Sequence, residues 1–173
     1  MGLDMYLTGK KYLGCKYNEK DEKIKIEVKA EWDKEPEIYN IDIRDIDSIV
    51  FDLGQWRKAN AIHKWFVDKC FSGNYDDYCG EEIEVEKKHL IELKELCKDV
   101  REQVSKAKDI ETKREIINKM LPMQNGFFFG YTEEDEGIEY YMQDLRDTIK
   151  IIDSALKKIE KYKIYEIYYS ASW

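Results

Sequence analysis

The sequence predicts an α+β fold: a mainly antiparallel sheet, including the first and last strands, with about four helices packed on it. Three observations predict it. Apolar and polar residues alternate near the beginning, at Leu3, Met5 and Leu7, and again at the end, at Tyr165, Ile167, Tyr169 and Ala171. Between these stretches the apolar spacing lengthens to three and four residues, the helical period. Strands first, helices next and a strand last is the order of an α+β domain with its helices on one face of the sheet. The length of 173 residues suits a single domain, 1–173, and no linker or internal repeat divides it.

Each element has its own signal. Leu3, Met5 and Leu7 set the first strand, and Ile24, Ile26 and Val28, alternating with Lys25, Glu27 and Lys29, set the second. The polar stretch Gly14 to Asp21 between them reads as a hairpin loop. Ile41, Ile43, Ile46 and Ile49-Val50-Phe51 form a weaker series that fits a strand or a short helix. From Gly54, the residues Trp56, Ala59, Ile62 (or His63), Phe66 and Cys70 predict an amphipathic helix of about sixteen residues. Phe71 to Gly80 has the composition of a loop, and Glu81 to Val85 of a short strand. Leu90, Leu93, Leu96-Cys97, Val100 and Val104 define a second helix, and Glu111 to Met120 a third, stopped by Pro122. Gly126-Phe127-Phe128-Phe129-Gly130 reads as a tight turn into a short buried strand. The last helix opens at the acidic run Glu133 to Glu136, which suits a helix N-terminus, and turns Leu145, Ile149, Ile152, Leu156 and Ile159 to the core. The final strand needs a partner, and the first strand is the natural one.

Composition narrows the function classes. There are 29 Lys and Arg against 37 Asp and Glu, a net charge of −8, which is not the footprint of a nonspecific nucleic-acid binder. Apolar residues at 43% and thirteen tyrosines exclude a disordered chain. No apolar run approaches the ~20 residues that span a bilayer. Met1 to Leu7 lacks the pattern of a secretory signal, and Tyr6 stands where a myristoylation signal has Ser or Thr. Cys15, Cys70, Cys79 and Cys97 form no CxxC pair, so reduced thiols in a cytoplasmic protein are expected.

One segment stands out for chemistry. In segment 54–66 of that expected helix, Arg57, Asn60 and Lys64 lie at i, i+3 and i+7 and share a face, with His63 beside it. Such a face grips a phosphate or carboxylate, and Trp56 and Trp65 offer stacking surface for a base. An ordinary solvated face with tryptophans in the core is the alternative. Trp173 is expected to fold back on the sheet or to join a pocket or partner surface. No cofactor motif, nucleotide-binding glycine loop, metal-ligand spacing or nucleophile elbow occurs. Cys79 with His89 as its base has no local support.

The opening Met1-Gly2-Leu3-Asp4-Met5-Tyr6-Leu7, the run Trp56 to Phe66, the Gly126 to Gly130 segment and the final Tyr169-Ser170-Ala171-Ser172-Trp173 occur together in this order. The chain thereby resembles a family of small uncharacterised proteins of phages, prophages and their bacterial hosts. The family usually carries an aromatic pair directly after Asp-Glu. Here Asp135-Glu136 is followed by Gly137-Ile138, and then by Tyr140-Tyr141. The resemblance implies a context rather than a reaction: accessory proteins that neutralise host defence or sequester nucleotide signals. The expected function is therefore binding of a small anionic ligand, such as a nucleotide signal, without turnover, through Trp56, Arg57, Asn60, His63, Lys64, Trp65 and Trp173. One rival is an acidic protein–protein module that inhibits a host protein, motivated by the negative charge. The other is a metal-dependent enzyme on phosphorylated substrates with His63 as acid or base. A homodimer through an edge strand fits either binding reading.

Overall fold

A computed structural model describes residues 2–12, 23–28, 37–42, 46–72, 78–124 and 135–173. The first strand, β1 (Asp4–Tyr12), buries Met5, Leu7 and Gly9, with Leu3 just ahead of it, so the alternation read from the sequence is real. It is an inner strand. It pairs antiparallel with β4 (Ser48–Arg57) on one side and with β6 (Glu166–Ser172) on the other. The short β5 (Ile83–Glu84) adds to the outer edge of β6, giving the order β4-β1-β6-β5. The first and last strands are therefore neighbours at the centre of the sheet, as expected.

Two sequence expectations need correction here. The second strand, β2 (Lys23–Val28), does not pair with β1: it pairs with β3 (Glu37–Asp42) in a separate two-stranded sheet. Both edges of β1 are taken by strands distant in sequence, which leaves no edge for a β1–β2 hairpin. Of the weak apolar series at 41–51, Ile41 lies in β3 and Ile49-Val50-Phe51 in β4, while Ile43 lies outside the described residues. The loop expected at 14–21 and the Gly126 to Gly130 segment lie outside the described residues.

The second correction concerns the helix expected from Gly54. The chain there is still strand, and α1 spans only Asn60–Cys70. The cause is a bulge. Leu7 faces Gly54 and Thr8 faces Asp52, so Leu53 is an extra residue in β4. The bulge puts Leu53 and Trp56 both inside, at 1% and 6% exposure. Leu53, Trp56, Ala59 and Ile62 then follow one another at intervals of three, which imitates a helix.

The remaining helices are α2 (Lys87–Lys106), α3 (Ile110–Met120) and α4 (Asp135–Tyr162). Their ends have local chemistry. The Glu86 N–H donates to His89 Nδ1 at 3.3 Å at the start of α2, an imidazole in the role usually taken by a Glu or Gln carbonyl oxygen. Asp109 Oδ1 accepts from the Thr112 N–H at 2.8 Å and caps α3. After α4, Lys163 takes the left-handed conformation (φ 53°) while Ile164 N–H donates to Ile159 O at 3.0 Å, a Schellman ending that turns the chain into β6.

Helix α4 lies antiparallel along β4, and successive contacts fix this. The Phe51 and Tyr162 rings stack at 5.0 Å. Lys158 Nζ donates to Asp52 O at 2.7 Å. Ile151 covers Gly54, where a Cβ would collide with its Cγ2. Trp56 Nε1 donates to Thr148 Oγ1 at 3.0 Å in the buried interior. As β4 advances, α4 retreats. The next turns of α4, at Asp144 and Tyr141, are thereby delivered to the point where β4 ends and α1 begins.

Candidate functional site

At that point the chain makes a sharp turn. Lys58 is left-handed (φ 59°), and its N–H donates to Leu3 O at 2.7 Å. A lysine in this conformation costs on the order of 1 kcal/mol, and such strain concentrates at functional sites. Asn60 N–H donates to Lys58 O at 2.8 Å, and α1 starts there. Its N-cap is Ala59, whose methyl group supplies no acceptor to the first-turn N–H groups.

The turn forms one wall of a cleft of about 340 Å³, lined by Arg57, Lys58 and Asn60 together with Tyr140, Tyr141 and Asp144 of α4, and completed by Met123 and Gly137. Arg57 projects outward, 74% exposed, with its Nε 3.6 Å from Asp4 Oδ1. Asn60 is buried, and its Oδ1 accepts from the Gln124 N–H at 3.3 Å. Tyr141 is buried, with its hydroxyl donating to Leu121 O at 2.8 Å. Tyr140 is exposed on the same cleft. Asp144 is half-buried, and its carboxyl is pushed up to about 7, first by burial and then by the neighbouring charge of Asp147.

No family model, curated protein or solved structure matches this chain.

The residues expected to share one face are dispersed. Arg57 and Asn60 do meet at the cleft, but Arg57 sits on β4, not on α1. Trp56 is core, spent on Thr148. His63 is 1% exposed, with its Nδ1 2.7 Å from the Tyr169 hydroxyl, and burial lowers its pKa to about 4. It does not line the cleft formed by Arg57, Lys58 and Asn60. Lys64 and Trp65 line a different depression of about 230 Å³ with Asp68, Met120 and Pro122. Lys64 Nζ is paired to Asp68 Oδ2 at 2.7 Å. The Trp173 ring, 40% exposed, meets His63 edge-on at 5.7 Å and lies 5.9 Å from Tyr78.

Sequence reasoning missed Tyr140, Tyr141 and Asp144. Their signal was present, since Gly137, Tyr140, Tyr141 and Asp144 recur at helical spacing on one face of α4. Nothing local tied that face to residues 57–60. The sulfur that meets His89 Nδ1 is Cys70 Sγ, at 3.4 Å. Burial pushes the Cys70 thiol up to about 11, which keeps it a poor nucleophile. Among the described residues no three His, Cys, Asp or Glu side chains gather to hold a metal, and no helix is long and apolar enough to cross a membrane.

Proposed function

We propose that this chain is an accessory protein of the phage or prophage kind that binds a small anionic ligand in the Arg57–Lys58–Asn60 cleft, without turning it over. One observation carries the binding reading: two cations flank a strained turn at the mouth of a cleft, at the start of a helix that lacks a side-chain cap. A helix start and two cationic donors favour an anion together. The phage context is supported by the resemblance of the four sequence segments alone. This reading moves the ligand away from Trp56 and His63, which lie in the core, and from Trp173, which stays 40% exposed beside His63 and Tyr78.

Titration calorimetry with inorganic phosphate and with mononucleotides tests it. Arg57→Ala is expected to weaken binding about 10- to 100-fold, the loss of a charge-assisted hydrogen bond of ~1.5–3 kcal/mol, with the melting temperature unchanged. Lys58→Gly is expected to weaken binding while raising stability by about 0.5–1 kcal/mol, since glycine accepts positive φ without strain. Unchanged affinity in both variants overturns the assignment. Salt-sensitive capture of a basic protein, with no small ligand bound, would replace it by the protein–protein reading.

A further inference from the structure

The cleft is amphoteric. Arg57 and Lys58 ask for an anion, yet Asp144 lines the same space. The Asp144 carboxyl makes no hydrogen bond or ion pair with a described residue, although it is half-buried. A carboxylate partly withdrawn from water carries a desolvation cost. A ligand that brings donors to it offsets that cost, and a ligand that brings only negative charge does not. The fitting molecule therefore carries an anionic group at one end and an N–H donor edge at the other. Tyr140, exposed on this cleft one turn before Asp144, adds an aromatic face. The volume lies within the usual range for small-ligand sites, about 300–1,000 Å³.

Among nucleobases the donor patterns differ. Guanine presents N1–H and N2–H side by side, matching the two oxygens of a carboxylate. Adenine and cytosine set an amino donor beside a ring acceptor, and uracil flanks its single N–H with two carbonyls. We propose that the cleft selects a guanine nucleotide: phosphate on Arg57 and Lys58, the N1–H and N2–H edge on Asp144, and the base against Tyr140. This rests on the anion-binding reading above and deepens it.

The test is calorimetry at pH 8 with GMP, IMP, AMP and XMP. The protein is expected to bind GMP at least tenfold more tightly than IMP, which lacks the 2-amino group, or AMP. Asp144→Asn exchanges one acceptor for a donor. It is expected to lose the GMP preference and to gain XMP, whose 2-oxo group accepts where guanine donates. A merely structural role for Asp144 predicts no such swap. Arg57→Ala is expected to weaken all four alike. Equal affinity for GMP and AMP, with Asp144→Asn indifferent to the base, overturns the guanine assignment and leaves anion binding standing. Failure of every nucleotide and of inorganic phosphate overturns both.

Discussion

Two titratable groups, one buried and one half-buried, pull the stability of this protein in opposite directions with pH. His63 is held neutral, near 4 rather than its ordinary 6.5, because its ring is buried among Tyr78, Tyr169 and Trp173. The folded state therefore binds fewer protons than the unfolded state between those values. Its contribution, up to about 3 kcal/mol, is present above pH 6.5 and lost as the pH falls through 4. Asp144 works the other way. Its carboxyl near 7 keeps a proton that the unfolded chain releases, so it lowers stability as the pH rises through 7. Allowing for its partial exposure, this amounts to about 2 kcal/mol. Asp144→Asn is thus expected to be more stable than the parent at pH 8, by about that amount. The advantage should shrink as the pH falls from 7 toward 4. Urea unfolding at several pH values checks this, and an advantage independent of pH would show that the carboxyl is not desolvated. The proposed binding role calls for such a trade of stability for a charged group facing a cleft.

At the scale of elements, the β4 bulge and the helix laid over it explain most of what the sequence hid. Gly54 leaves room for Ile151, and Leu53 is pushed inward beside it. Gly54→Ala is expected to cost about 1–3 kcal/mol by forcing α4 away from the sheet, read as a lower denaturation midpoint with unchanged strand content. Gly80 is a second tight point: it has φ 96°, and a Cβ there would meet Ala171 O at 2.7 Å. The regular helices α2, α3 and α4, and the strands β1 and β6, were legible because their periods are local. The strand–turn–helix at 53–60 was not, because a bulge in a strand and a turn of helix can place apolar residues at the same interval. The site inherited that error. Arg57 and Asn60 belong together, but a bulged strand and a left-handed turn bring them there, and their partners arrive from α4 by packing that no local pattern encodes.

At the scale of the molecule, the sheet order puts β1 and β6 side by side, with β6 supplying Ile167, Tyr169 and Ala171 to the core. Tyr169 stacks on Phe66 at 4.3 Å and meets His63 through its hydroxyl. The outer edge of β6 is also tied down, since the Ala171 N–H donates to the Tyr78 hydroxyl at 3.1 Å and that hydroxyl donates to Glu81 O at 3.0 Å. Removing residues 164–173 would open β1 along one edge and empty the space under α1. Such a chain is expected to show no cooperative thermal transition by circular dichroism. A cooperative transition near that of the parent would mean that the other elements form a core without β6.

The pairing of β1 with β6 also has a consequence in time. Met5 faces Ala171, so a ribosome must add roughly 165 residues between making one partner and making the other. At ~5–20 residues per second that interval is about 8–30 s. During it β1 can zip with β4, but its other edge stays open in the nascent chain. The central seam of this sheet closes only as synthesis of β6 is completed.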